Sequence, residues 1–167
     1  MSSPQIVPTT ANILVVDDTP ANLRLLAGIL TQQGYNVRPA RDGNQAISIA
    51  QTVALDLILL DINMPVMDGY QVCEKLKANP NTRGIPVIFI SALSDVLDKI
   101  KAFGVGGVDY ITKPFQVEEV LARVETHLSL QNLQNNLQSK NDELAQTNER
   151  LNAALVELKA VLPYLLC

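Results

Sequence analysis

The chain has 167 residues, of which 47% are hydrophobic and 18% are charged. This size fits one domain with an appendage, and the hydrophobic content excludes a wholly disordered chain, because such chains lack the apolar surface that offsets the entropy lost on ordering. The formal net charge of −4 disfavours a basic nucleic-acid binder, and the sequence contains no polybasic cluster for an anionic membrane surface.

Targeting and cysteine patterns favour a cytoplasmic protein. The first ten residues lack the basic region and apolar core of a signal peptide, and no apolar run approaches the roughly 20 residues that a membrane helix needs. Cys73 and Cys167 lie far apart and form neither a disulfide framework nor a CxxC pair, which fits a reducing compartment.

Glycine and proline divide the chain into two parts. All eight glycines and eight of the nine prolines lie within residues 1–127, whereas residues 115–162 contain neither. Because these residues interrupt helices, the second part is predicted to be one long helix. We expect a flexible lead at 1–10, a domain at 11–128, a coiled-coil helix at 129–162, and a tail at 163–167 that is a candidate truncation point.

The first part alternates between strand and helix signals. Short apolar runs predict strands at 13–16, 35–40, 57–60, 86–90 and 108–112. Helical spacing of apolar residues predicts a first helix that Thr19 caps, Pro20 begins and Gly34 ends. It also predicts helices around 46–50, 70–76 and 96–103, and a fifth from about Val117. This alternation gives an α/β fold with a parallel sheet, whose central strands are buried on both faces.

Polar side chains stand where the predicted strands end. Asp17 and Asp18 follow the first strand, Asp61 the third, Ser91 the fourth and Lys113 the fifth. In such sheets ligands bind at the carboxyl ends of the strands, so these side chains are expected to meet. Three neighbouring carboxylates repel one another unless a hard divalent cation such as Mg²⁺ lies between them. An aspartate there can attack phosphorus, while the lysine and the hydroxyl bind anionic oxygens.

The motifs at these positions resemble those of the receiver domain of two-component response regulators. The resemblance covers residues 11–128, and the matching segments are VVDD at 15–18, LLDINMP at 59–65, MDG at 67–69, ISA at 90–92 and DYITKPF at 109–115. It implies a flavodoxin-like, doubly wound sheet of five parallel strands in the order 2-1-3-4-5.

The resemblance also implies a role for each residue at the strand ends. Asp61 would accept a phosphoryl group from a histidine kinase or phosphotransfer protein. Asp17, Asp18, Asp61 and the backbone carbonyl of Asn63 would hold Mg²⁺. Lys113 would contact the phosphoryl group. Apart from Mg²⁺-dependent autophosphorylation and autodephosphorylation, a receiver is not an enzyme.

A switch pair is implied as well. Ser91, where the family more often has Thr, would contact the phosphoryl group and move towards it, and Tyr110 would swing inward to fill the vacated space. Pro114 would follow a cis peptide bond that directs Lys113 inward. Asn63 and Leu93 occupy the positions that tune the lifetime of the phosphoryl group in the family.

Simpler interpretations exist for several residues. The pair Asp17-Asp18 alone is typical of a helix start, and Tyr110 alone is typical of strand packing. His127, the only histidine, is expected at a surface or boundary, and Cys73 in the core. A second function class is a haloacid-dehalogenase-like phosphatase, but Asn63 stands where that family has its acid–base aspartate, so no turnover of external phosphoesters is expected.

Leucines recur every seven residues in the second part. Leu at d and Asn at some a positions favour a parallel homodimeric coiled coil. The predicted seam comprises Leu130, Leu137, Asn141, Leu144, Asn148, Leu151, Leu155 and Leu158. Gln134 and the two asparagines make the middle of the seam polar in this register. The other register places Lys140 and Thr147 at d and is no better.

Two alternatives to this coil remain open. The helix could fold back on its own domain, or the stripe could be a leucine zipper on DNA. Residues 116–129, which precede the stripe, contain one Arg and no Lys, so direct DNA binding by this chain is disfavoured.

Together these patterns predict a phosphorylation-dependent switch that transmits its state through a dimeric coil to an output domain or partner. The alternative is the N-terminal regulatory part of a larger signalling enzyme or transcription regulator. No membrane contact is expected.

Overall fold

A computed structural model of the chain describes residues 10–92 and 98–165. Five strands alternate with five helices along the chain. The strands are β1 (Asn12–Val16), β2 (Asn36–Ala40), β3 (Leu57–Asp61), β4 (Val87–Ala92) and β5 (Asp109–Lys113). The helices are α1 (Pro20–Gln32), α2 (Gly43–Thr52), α3 (Gly69–Ala78), α4 (Lys99–Gly104) and α5 (Val117–Leu165).

The strands form one parallel sheet in the order β2-β1-β3-β4-β5, as the resemblance implied. β3 is buried throughout, and β1 and β4 nearly so, because both faces of the sheet are covered. β2 lies at an edge, is largely exposed and contains Pro39, a residue that edge strands tolerate because it cannot donate to a second neighbour.

Alternate residues of each central strand enter two separate hydrophobic cores. Ile13 and Leu57 point to a core that includes residues of α1 and α5. Leu14 and Ile58 point to the opposite core, which includes residues of α2, α3 and α4. The apolar runs therefore lack polar alternation because each face of the sheet packs on helices.

The first helix begins and ends as predicted, but its cap differs. Pro20 is the first helical residue, and the chain turns at Gly34, whose φ is 89°. The Thr19 side chain forms no capping hydrogen bond. The Thr19 backbone N–H instead donates to Oδ1 of Asp17 at 2.9 Å, so this residue orients the carboxylate rather than the helix.

The fourth helix is present, but two of the apolar residues whose spacing predicted it are exposed. Ile100 is 87% exposed and Phe103 is 49% exposed, while the small Ala102 is the buried residue. α4 has only six described residues, so it offers one short turn to the core. Val96 and Leu97, on which the prediction also rested, lie outside the described residues.

The chain divides into two compact units, residues 1–128 and 129–167. α5 extends to Leu165, beyond Pro163, where the sequence predicted its end. Pro163 therefore lies inside the helix, two residues before its end, where a proline lacks the N–H that would bond to the preceding turn. Every residue from 133 to 165 is exposed. Within the described ranges, no helix combines the length and apolarity required for a membrane span.

Candidate functional site

The residues predicted at the strand ends lie at one edge of the sheet. Asp61 is the last residue of β3, and Lys113 is the last residue of β5. Asp17 directly follows β1, and Ser91 is the penultimate residue of β4. The parallel pairing sets Ser91 opposite Thr112 and Ala92 opposite Lys113, which aligns the ends of the strands.

Three carboxylates come together at this edge. One oxygen each of Asp17, Asp18 and Asp61 lies within 4.8 Å of the other two. Asp17 and Asp61 are buried, and Asp18 is the least buried of the three. Oδ1 of Asp17 accepts from the Thr19 backbone N–H, and the Asn22 amide lies 3.5 Å away from it.

Lys113 is the cation closest to this cluster in the part of the chain that the structure describes. Its Nζ lies 3.1 Å from Asp17 Oδ2 and 3.5 Å from Asp61 Oδ1. One positive charge faces three carboxylates, so the cluster keeps an excess of negative charge. Burial raises the pKa of Asp61 to about 7, the charge of Asp17 adds to the rise, and Lys113 opposes it.

This donor set fits a hard divalent cation. Asp17 Oδ2 is buried and accepts no hydrogen bond from the described residues, although it forms an ion pair with Lys113 at 3.1 Å. A buried carboxylate oxygen without a donor is costly, and a cation between the carboxylates removes that cost. Oxygen ligands from carboxylates are those that Mg²⁺ prefers.

Backbone packing fixes the position of Asp61. A Cβ atom on Gly69 would lie 2.4 Å from the Asp61 carbonyl oxygen and 2.8 Å from Ile62 Cα, so α3 can start here only with glycine. The Gly69 N–H donates to the Ile62 carbonyl at 2.8 Å. Asp68 and Gln71 form a capping box that holds the same helix end.

The predicted switch residues occupy neighbouring strands. Ser91 is buried, and its hydroxyl donates to the Ala92 carbonyl at 3.2 Å. Tyr110 is half-buried in β5, opposite Phe89. The Lys113–Pro114 peptide bond is cis, as the resemblance implied. Asn63 follows β3, and Leu93 lies outside the described residues.

A second polar group, missed by the sequence analysis, joins β5 to α5. Asp109 accepts a hydrogen bond from Arg123 Nη1 at 2.8 Å and lies 2.9 Å from His127 Nε2. Burial alone would raise the pKa of Asp109, but its bonds with His127, the Tyr110 N–H and Arg123 lower it below 3.8. The helical spacing of Glu119, Arg123 and His127, four residues apart, is the signal that could have revealed a polar face.

Cys73 and His127 agree with the sequence analysis. Cys73 is fully buried, and burial raises the pKa of its thiol to about 11. His127 lies at the boundary, with a side chain 14% exposed.

Comparisons with known proteins agree with this geometry. The family described as "Response regulator receiver domain" matches residues 13–125. The DNA-binding dual master transcriptional regulator RpaA of Synechocystis is 44% identical over 116 residues, which cover 70% of this chain and 48% of that protein. Response regulator PleD of Caulobacter vibrioides is 47% identical over 117 residues, covering 70% and 26% respectively.

Solved structures give the same result. A putative response regulator from Chloroflexus aurantiacus aligns with a TM-score of 0.69 and 32% identity over 72% of this chain and 98% of that one. The chain spans about half or less of the length of the curated relatives named above. These matches and the strand-end site lead to one conclusion: the chain belongs to the response regulator receiver domain family.

Proposed function

We propose that this chain is the phosphorylation-dependent switch of a two-component phosphorelay, in which Asp61 accepts a phosphoryl group from a histidine kinase or phosphotransfer protein. One observation carries the proposal: Asp61 ends β3 beside Asp17, Asp18 and Lys113 in a chain of the receiver family. An exposed aspartate is common on any protein surface. A buried aspartate beside other carboxylates is electrostatically unfavourable, and such groups cluster at functional sites.

Asp17, Asp18, Asp61 and the backbone carbonyl of Asn63 would hold Mg²⁺. When bound, the ion supplies positive charge to the carboxylates and to the oxygens of the transferring phosphoryl group. Asp17 Oδ2 supports this assignment, because it is buried and has an ion pair with Lys113 but accepts no hydrogen bond from the described residues. The raised pKa of Asp61 does so too, because a bound cation would offset the charge of the neighbouring carboxylates and favour the ionised form of Asp61.

The chain's own residues then perform the transfer. An oxygen of Asp61 attacks phosphorus, and an O–P bond forms as the P–N bond to the donor histidine breaks, with the electron pair remaining on nitrogen. Lys113 Nζ, already 3.5 Å from Asp61, neutralises a phosphoryl oxygen. Ser91 exchanges its bond to the Ala92 carbonyl for one to the phosphoryl group. In autodephosphorylation water attacks the same phosphorus, the P–O bond to Asp61 breaks, and the free carboxylate and inorganic phosphate are the products.

Tyr110 is the second member of the proposed switch pair. As Ser91 moves towards the phosphoryl group, the Tyr110 ring enters the space beside it. The ring is half-buried and sits on the strand next to β4, so a modest movement changes its contacts. Phosphorylation can therefore act by shifting the equilibrium between two arrangements of this packed side chain.

Helix α5 supplies the proposed output. Its leucines at 130, 137, 144, 151 and 158 are 47–62% exposed, an unusual number of exposed leucines along one stripe. A second copy of the chain would cover them in a parallel coiled coil. The greater length of the relatives supports the alternative that this is the regulatory part of a longer enzyme or transcription regulator.

Two experiments test these proposals. Phosphoramidate carries the same P–N bond as phosphohistidine, and with Mg²⁺ it should add one phosphoryl group to the full chain by intact mass, but none to Asp61→Asn. An equal gain in both proteins would refute the assignment of Asp61. Light scattering with and without beryllofluoride then tests the coil: a dimer in either condition supports it, and a monomer in both refutes it.

A further inference from the structure

Arg123 joins the Tyr110 ring to helix α5. The guanidinium carbon lies 5.9 Å from the ring centroid, within the range of a cation–π contact. From α4, Lys99 Nζ approaches the same ring at 5.1 Å. The half-buried ring is therefore in contact with positive charge from both helices that flank its strand.

Two carboxylates hold Arg123 in this position. Nη1 donates to Asp109 Oδ1 at 2.8 Å, and Nε donates to Glu119 Oε1 at 3.3 Å. Asp109 directly precedes Tyr110 and accepts from the Tyr110 backbone N–H at 2.8 Å. Its second oxygen lies 2.9 Å from His127 Nε2. We call Asp109, Arg123 and His127 the clasp.

We infer that Arg123 is a positioning residue that couples the Tyr110 ring to α5, so that the clasp sets the equilibrium between the two positions of the ring. The inference rests on the proposed function, in which the ring moves when Asp61 is phosphorylated. The clasp keeps the guanidinium in place, because charge-assisted bonds to Asp109 and Glu119 do not depend on the ring. When the ring leaves, the cation–π contact is lost.

The coupling has a definite sign. Arg123 favours the ring position of the free protein, and binding of a phosphoryl analogue favours the other position. Removing Arg123 therefore strengthens binding of the analogue, because binding no longer includes the free-energy cost of breaking the cation–π contact. A cation–π contact of ordinary strength corresponds to an increase in affinity of about two- to fivefold.

A double-mutant cycle on the full chain isolates the contribution of the contact between Arg123 and the Tyr110 ring. Beryllofluoride is titrated with Mg²⁺ and followed by fluorine NMR, using Arg123→Met, Tyr110→Ala and the double variant. Arg150→Met, the same substitution on an exposed residue of α5, is the matched control. We expect Arg123→Met to increase affinity about two- to fivefold, Arg150→Met to leave it unchanged, and Arg123→Met to have no effect when Tyr110 is Ala.

A purely structural role would give another pattern. An equal effect of Arg123→Met in both Tyr110 backgrounds, or no effect in either, would overturn the inference. Asp109→Asn is a second variant that keeps an oxygen for the Tyr110 N–H but weakens the hold on Arg123. It should change affinity in the same direction and shift the ring signal of Tyr110 in the free protein, and wild-type behaviour on both measures would also overturn the clasp.

The proposed function fails in a different way. If wild type does not bind beryllofluoride, or if Asp61→Asn binds it equally well, the assignment of Asp61 is refuted. The proposed role of the clasp is then refuted as well, because it depends on that assignment. If binding requires Asp61 but is indifferent to Arg123, only the clasp is refuted.

Discussion

Replacing Gly69 by alanine should damage the proposed phosphorylation site through the backbone alone. The added Cβ would lie 2.4 Å from the Asp61 carbonyl oxygen, 2.8 Å from Ile62 Cα and 3.1 Å from the Asp61 carbonyl carbon. All three are backbone atoms, so no flexible side chain can yield. Either α3 moves outward or β3 shifts, and both disturb Asp61.

The size of the effect follows from the cost of overpacking. Insertion of one methyl group into a packed site typically costs about 1–3 kcal/mol. With an m-value of about 1–3 kcal/mol/M in urea, the midpoint of unfolding should fall by roughly 1 M. The affinity for beryllofluoride with Mg²⁺ should fall as well, because the Asp61 carboxylate is displaced relative to Asp17 and Lys113.

Gly28→Ala is the matched control. A Cβ on Gly28 meets nothing within 4 Å, and Gly28 lies inside α1. Alanine there should stabilise the protein by about 0.5–1 kcal/mol, because glycine is the poorer helix former. The two substitutions are therefore expected to have opposite signs. A Gly69→Ala protein with the urea midpoint and beryllofluoride affinity of wild type would refute the reasoning.

Three further predictions concern Asp61, Thr82 and the leucine stripe. In metal-free protein the pKa of Asp61 is about 7 in the folded state against an ordinary 3.8, so the folded state binds the extra proton and stability falls as pH rises between these values. Asp61→Asn should abolish this fall, which is on the order of a few kcal/mol, in urea unfolding at several pH values with EDTA. The Thr82 hydroxyl is buried and donates to the Leu76 carbonyl at 2.6 Å, so Thr82→Val should destabilise by about 1–3 kcal/mol in urea unfolding. Leu144→Asp should halve the molar mass of a dimer in light scattering, because it places a charge in the seam.

Each of these predictions has a contradicting result. A pH profile that is the same in wild type and Asp61→Asn would show that burial does not raise this pKa. A neutral Thr82→Val would mean that the Leu76 carbonyl finds another donor. An unchanged mass for Leu144→Asp, with Glu143→Asp as an acidic control off the stripe, would exclude the proposed seam.

The strand-end site could be predicted because strand direction and connectivity determine it. Parallel strands bring their carboxyl ends to one edge, so Asp61 and Lys113 meet there although they are 52 positions apart in the sequence. The continuous apolar runs also predicted the buried central strands. A strand has apolar residues at consecutive positions when helices cover both faces of its sheet.

The details that the sequence did not reveal depend on distances within the fold. Nothing local distinguishes Asn22, whose amide approaches Asp17, from any other polar residue of α1. The clasp at Asp109 depends on how α5 packs along β5, which periodicity does not specify. Ile100 is exposed although its spacing predicted a helix, because helical spacing alone does not identify which residues of a short helix face the core.

The central claim is that Asp61 carries the phosphoryl group, and trapping the acyl phosphate tests it most directly. The full chain is treated with phosphoramidate and Mg²⁺, reduced with borohydride, which converts an aspartyl phosphate to homoserine, and mapped by peptide mass spectrometry. The account predicts homoserine at position 61 alone, and none without Mg²⁺. Homoserine at Asp17 or Asp18, or a phosphoryl group on another side chain with Asp61 unmodified, would contradict it.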